Sequence, residues 1–280
     1  MNDHSEVKDG WRFIRKYLSS IPKDETVQTL IDFASQPFTN SAKCVYIASA
    51  TLKRDDANHW RLYSDYGQGY VIEIEPQTPL AVITEKPAEA FITINGPSTT
   101  INFADVFDLT RWYGVIYKKG EKTKVLDSFV NRVREALSSP PAFNDPEDQS
   151  EWYADQLGHI RVSLATIACL FKPKGFAGEA EVRAVALFWG GGVTPHAKFK
   201  TGPTGLTPYV RLGTADSLNG NLEKMFRLNG DGMMPLPLPI LSVGIGPLLP
   251  KPGQKQTLEC ILADAGNPNA RVWKSKVPLR

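Results

Sequence analysis

The strongest helical periodicity in the chain runs from Asp145 to Phe171, where Tyr153, Leu157, Ile160, Leu164, Ile167 and Phe171 recur at three- and four-residue steps. That spacing gathers apolar side chains on one helix face. Asp145 is placed to cap the helix, Pro146 suits its first position, and Pro173 stops it. The segment 181–189 reads differently: residues 184–189 (AVALFW) are apolar on both faces, the pattern of a strand inside a covered sheet. The helix stripe is expected to lie against that sheet.

The same reading predicts two short helices, Ser5 to Ser19 and Glu25 to Gln36, separated by Pro22 and ended by Pro37. Trp11, Ile14 and Leu18 form one face of the first, and the pair could act as a lid or an appended hairpin. Cys44 to Thr51 reads as a strand, followed by Asp55 or Asp56 as a cap and a short helix through Tyr66, stopped at Gly67. Strands follow at Tyr70 to Glu75, Leu80 to Ile83 and Arg111 to Tyr117. A helix from Thr123 to Leu137 carries the stripe Val125, Phe129, Val130, Val133 and Leu137. Residues 198–212 suggest one or two strands, 213–234 an irregular insertion, and Ile240 to Ile245 a strand entered from Pro235, Pro237 and Pro239. A helix near Gln256 to Ala265 and a strand near Arg271 to Lys274 close the chain. Strands and helices mix without regular alternation, which points to an α+β fold with a mixed, mostly antiparallel sheet and packed helices in a single large domain. Residues 1–40 read as an N-terminal helical extension to an α+β domain of residues 41–280.

Composition narrows the function classes. The 280 residues carry 32 Lys and Arg against 30 Asp and Glu, a net charge of +2. That is too little for charge alone to drive nucleic-acid or membrane binding over the surface. The run Lys118, Lys119, Lys122 and Lys124 reads as a solvated turn and helix start. Cys44, Cys169 and Cys260 are too few and too far apart for a disulfide framework or a zinc site, and read as buried thiols in a reducing compartment. The first residues are too charged for a signal peptide, and Ile160 to Phe171 is too short to span a bilayer. A cytoplasmic protein is expected. His4, His59, His159 and His196 show no metal-ligand spacing, and no serine-hydrolase elbow or phosphate-binding loop occurs.

The chemistry-bearing candidates are therefore few. In the stretch Lys172 to Arg183 (KPKGFAGEAEVR), Glu179, Glu181 and Arg183 stand at alternate positions where the strand begins, so all three are expected on one face. Carboxylates about 7 Å apart suit glycosyl or ribosyl transfer, because proximity raises one pKa and leaves the other group ionised. The alternative is a structural salt bridge between Arg183 and Glu181. A second group, Trp60, Tyr63 and Tyr66, repeats every three residues and is expected on one helix face. It serves either as a stacking platform for a base or nicotinamide ring or as a core-facing aromatic stripe. Gly67-x-Gly69 lacks the third glycine of a dinucleotide fingerprint, and Gly190 to Gly192 reads as a hairpin. Ser49 and Thr51 end their strand, either to bond a ligand or to begin the turn toward the cap.

Taken in order, several blocks resemble a bacterial family of uncharacterised proteins, the domain of unknown function 2971. They are Ser49 and Thr51; Trp60, Tyr63 and Gly69; Val115 and Tyr117; Lys174, Phe176, Glu179, Glu181 and Arg183; Ile245 to Pro247; and Ser275, Pro278 and Arg280. The resemblance covers most of residues 44–280 and implies a fold, not an activity. Two features depart from it: helices precede Cys44, and Asn144-Asp145-Pro146 lies far downstream as a helix cap. The Glu-x-Glu with its serine and aromatic elements is also similar to the arginine, serine and glutamate pattern of ADP-ribosyltransferases. That likeness implies an enzyme acting on a nucleotide-like ligand, a toxin or defence effector with NAD as cofactor. Glu181 would then hold the nicotinamide ribose, Glu179 would position the acceptor, and Tyr63 or Tyr66 would stack on the ring. No arginine before Ser49 beyond Arg12 and Arg15 is there to hold a pyrophosphate. The other reading is a non-catalytic binding or regulatory module with a structural ion cluster.

Overall fold

The computed structural model describes residues 4–35, 45–78, 80–83, 89–92, 99–102, 112–143, 145–187, 197–202, 205–214, 238–249 and 252–279. In chain order the first elements are α1 (His4–Leu18), α2 (Glu25–Ser35), β1 (Val45–Thr51), α3 (Ala57–Tyr63), β2 (Tyr70–Ile74) and β3 (Leu80–Ile83). Next come β4 (Glu89–Ile92), β5 (Thr99–Asn102), β6 (Tyr113–Gly114), α4 (Lys119–Ser138), α5 (Pro146–Leu170) and β7 (Glu181–Leu187), with a 3-10 turn at Lys174–Glu179 before β7. Strands β8 (Lys198–Gly202), β9 (Gly205–Tyr209), β10 (Arg211–Thr214) and β11 (Ile240–Ile245), helix α6 (Gln254–Asp264) and β12 (Arg271–Lys274) follow. The fold is α+β. Ladder pairings are mostly antiparallel, with β11 and β12 parallel, so the sheets are mixed.

Contacts divide the chain into two compact units, Met1–Ala50 with Tyr113–Gly192 and Thr51–Trp112 with Val193–Arg280. In the first, β7 lies between β1 and β6. The helix stripes meet in one core: Trp11, Ile14 and Leu18 of α1, Val27 and Leu30 of α2, Leu126, Val130 and Val133 of α4, and Ile160, Leu164 and Ala168 of α5. The first two helices are thus part of this core. Leu187 of β7 joins it, which places the α5 stripe against the β7 sheet as its periodicity suggested. The approach of α1 to α5 depends on Gly10, where an added Cβ would lie 2.0 Å from the Ala168 carbonyl oxygen.

The second unit holds the three-stranded sheet β12-β11-β2 and the pairs β10-β3, β4-β5 and β8-β9. Helix α6 packs beside β12.

Several expected boundaries move. Helix α3 stops at Tyr63, three residues short, because the Ser64 carbonyl accepts the N–H groups of Gly67, Gln68 and Gly69 at 3.1, 2.9 and 2.9 Å. Asp65 and Tyr66 then take left-handed φ values of 48° and 53°. Among the described residues of the strand expected at Arg111 to Tyr117, only Tyr113–Gly114 joins a ladder, and Ile116 adds one bridge to Phe171. Helix α4 begins at Lys119, before the predicted Thr123, and so brings Lys122 into the interior. Cys44, Arg111, Asn144, residues 188–196 with Gly190 to Gly192 and His196, most of the 213–234 insertion, Pro235, Pro237 and Arg280 lie outside the described residues.

Candidate functional site

The structure brings Glu179, Glu181, Arg183 and Ser49 together, but not all on one strand. Glu179 ends the 3-10 turn, and Ala180 turns the chain through a left-handed conformation, φ 47°, before β7 starts at Glu181. A non-glycine residue there carries strain of about 1–2 kcal/mol, and the turn is what re-aims Glu179 toward the strand face. The outcome is an ion cluster rather than a carboxylate pair. Lys172 Nζ reaches Glu179 Oε2 at 2.7 Å, Glu6 Oε1 at 2.9 Å and Glu181 Oε2 at 3.0 Å.

Arg183 completes the network. Its Nε donates to Glu181 Oε1 at 2.8 Å and its Nη2 to Glu181 Oε2 at 3.1 Å, while Nη2 also pairs with Glu6 Oε2. Its Nη1 is held by the Cys169 carbonyl at the end of α5. The Ser49 hydroxyl is hydrogen bonded to Glu181, and the Glu181 backbone N–H donates to Tyr117 Oη at 2.9 Å. The cations are almost fully enclosed, with side-chain exposure of 6% for Lys172 and 3% for Arg183. Behind them, Lys122 donates to the Lys172 carbonyl at 2.7 Å and lies over the rings of Phe13 and Phe171.

Electrostatics follow from this geometry. Burial raises the Glu181 carboxyl, but hydrogen bonds from Arg183 and Ser49, the Arg183 charge and Lys172 outweigh it and hold the group below the usual carboxylate range. The direction is opposite to that expected of a proton-donating carboxyl. Burial lowers Lys172, yet its bonds to Glu179, Glu6 and Glu181 leave its pKa raised. Arg183 is raised as well, its burial outweighed by Glu181 and Glu6. A carboxylate offers about four lone-pair positions. Those of Glu181 are taken by Arg183 Nε, Arg183 Nη2, Lys172 and Ser49.

Glu6 has no place in the sequence reading, while Lys172 and Tyr117 enter it only through the KPKGFAGEAEVR stretch and the family-like blocks, with no role of their own. Lys172 opens the same stretch, two residues before the Lys174 of the family-like block, and Lys174 itself is exposed. Glu6 carries no local signal, since its partner Arg183 is 177 residues away in the chain.

The aromatic group belongs to the second unit and does not share one face. Trp60 is buried, its indole N–H donating to Asp55 Oδ1 at 2.6 Å, and the Ser275 hydroxyl donates to the same oxygen at 2.7 Å. Asp56, not Asp55, caps α3, accepting from the N–H groups of Asn58 and His59. Burial raises the Asp56 carboxyl, but His59 and Lys53 bring it down to about 2. Tyr63 and Tyr66 are 66% and 72% exposed, which removes both the shared platform and the core-facing stripe. Tyr63 packs near the His59 ring, and Tyr66 rides on the left-handed turn. That turn is braced from β11's end, where Gly246 N–H donates to Gly69 and Leu248 N–H to Gly67. A Cβ at Gly246 would meet the Gly67 oxygen at 2.2 Å. Thr51 accepts the Lys53 N–H at 3.1 Å and so begins the turn toward the cap.

Among the described residues, no group of three or more His, Cys, Asp or Glu side chains could hold a metal ion. No described helix is long and apolar enough to cross a membrane. Cys169 is buried, and burial pushes its thiol up to about 12. Cys260 is exposed, contrary to the reading of every cysteine as buried.

No family model, curated protein or solved structure matches this chain.

Proposed function

We propose that the chain is a non-catalytic binding or regulatory module, with the Glu6, Lys172, Glu179, Glu181 and Arg183 cluster as the organising centre of its first unit. The observation that carries this reading is the saturation of Glu181. Its acceptor positions are occupied by Arg183, Lys172 and Ser49, and its carboxyl is held ionised. A group in that state neither donates a proton nor holds a ribose hydroxyl. In the second unit, exposed Tyr63 and Tyr66, which form no shared platform, present single rings to a planar, nucleotide-like ligand. A bacterial, cytoplasmic protein of the domain of unknown function 2971 type is part of the same proposal, supported by motif order alone.

One observation favours the competing reading, an ADP-ribosyltransferase-like enzyme using NAD. Ser49 is hydrogen bonded to Glu181, the serine and glutamate pairing that prompted the likeness. The test is incubation of the purified protein and its Glu181→Gln variant with labelled NAD and cell lysate. The module reading expects neither NAD cleavage nor label transfer above the variant, and activity lost in the variant at unchanged stability would overturn it.

A further inference from the structure

Glu6 stands apart from the rest of the ion cluster. Lys172, Glu179, Glu181 and Arg183 lie within twelve residues of one another and already balance, two cations against two carboxylates. Glu6 adds a third carboxylate from α1, and it divides its oxygens between the two cations, Oε1 to Lys172 Nζ at 2.9 Å and Oε2 to Arg183 Nη2. One oxygen on a lysine and another on a guanidinium edge is how these groups hold a free carboxylate or phosphate. Burial runs in the same sense: the cations are 6% and 3% exposed, whereas Glu6 at 16% and Glu179 at 17% lie on the outward side of the cluster, and of these two only Glu6 bridges both cations.

The cations do not depend on Glu6 for their placement. Arg183 stays anchored by both Glu181 oxygens and the Cys169 carbonyl, and Lys172 by Glu179 and Glu181. Nor does the docking of α1, which rests on Val7, Trp11, Ile14 and Leu18 and on the Gly10 contact with Ala168. Glu6 lies in the first turn of α1, and a terminal turn opens at far lower free energy than the helix behind it. Exchanging Glu6 for an external monoanion leaves the charge of the cluster unchanged.

We propose that Glu6 is an internal stand-in for a ligand, and that Lys172 Nζ and Arg183 Nη2 form a site for the carboxylate or phosphate group of a small molecule, closed at rest by the first turn of α1. Binding displaces Glu6 and frees the residues of that turn ahead of the buried Val7, which gives the module a ligand-dependent output. This inference rests on the reading of the chain as a binding module and names the ligand chemistry of its ion cluster.

The experiment is thermal unfolding of wild type and Glu6→Gln in titrations of inorganic phosphate and of acetate at constant ionic strength. Removing an intramolecular competitor raises apparent affinity by the reciprocal of the fraction of sites it had left open. The half-saturating anion concentration is therefore expected to fall about tenfold or more in Glu6→Gln, and the anion that does so tells phosphate from carboxylate. Equal responses in the two proteins, or none in the variant, overturn the proposal. If Glu6→Gln does not fold, amide exchange of wild type decides instead: phosphate or acetate should speed exchange at residues 7–10 by about tenfold, with opening of the first turn as its cause. Unchanged exchange overturns the proposal. NAD turnover that vanishes in Glu181→Gln would remove the module reading while leaving these titrations to be judged alone.

Discussion

Replacing Lys172 by Met should be among the most damaging single substitutions in the first unit. Met fills the space of the lysine stem but takes a cation from between Glu6, Glu179 and Glu181, at 2.9, 2.7 and 3.0 Å, and leaves Arg183 alone with three carboxylates. Removing one partner from a buried ion network costs about 3–5 kcal/mol, because the remaining charge is uncompensated. Against a typical domain stability of about 5–15 kcal/mol, that is a large share. The loss should also depend on pH. The Glu181 carboxyl is depressed in the fold, so its contribution is present above its unfolded value of 4.5 and disappears as pH falls through the lower folded value. Lys172 is raised, so its contribution is full below its unfolded value of 10.5 and disappears as pH rises through the higher folded value. Urea unfolding followed by far-UV circular dichroism should show the largest wild-type advantage between these limits, shrinking toward acid. A variant within about 1 kcal/mol of wild type at pH 7, the range of an exposed ion pair, or a difference independent of pH, would refute the reasoning.

Three further outcomes can be checked by the same unfolding measurement. Gly10→Ala drives a methyl group into the Ala168 carbonyl and should cost about 1–3 kcal/mol or more, as overpacking does. Asp56→Ala removes the α3 cap and should cost about 0.5–2 kcal/mol. Because the Asp56 carboxyl is depressed to about 2 from 3.8, that loss should persist at neutral pH and fade only as pH drops between those values. Tyr66→Gly relieves a left-handed φ of 53° on an exposed residue. It should raise stability or leave it unchanged, within about 1 kcal/mol.

The parts of the fold that could be read from the chain are those whose causes are local. Asp145 and Pro146 start α5 through a cap and a first-turn proline, and Ile160, Leu164 and Phe171 of the expected stripe reach the core as helical spacing requires, whereas Tyr153 and Leu157 stay half-buried. The placement of β7 in a covered sheet follows from its two apolar faces. What escaped depends on contacts distant in sequence or on conformations that no residue type announces. Ala180 adopts a left-handed turn without being glycine, so Glu179 reads as a strand residue when it ends a 3-10 turn. Ser64 ends α3 through its carbonyl, and Tyr66, which fits a helical spacing, is carried onto a turn instead. Glu6 joins the cluster only because α1 packs on α5, a consequence of the whole core rather than of any motif. The ion cluster could thus be located from KPKGFAGEAEVR, whereas its charge balance could not. That balance is what holds Glu181 ionised.

The decisive comparison is NAD turnover and melting temperature measured together on wild type and Glu181→Gln. No turnover is expected of either protein, and the variant should melt roughly 5 °C or more below wild type, through loss of a buried charge that holds Lys172 and Arg183. NAD cleavage or label transfer by wild type that disappears in Glu181→Gln at an unchanged melting temperature would contradict the module reading.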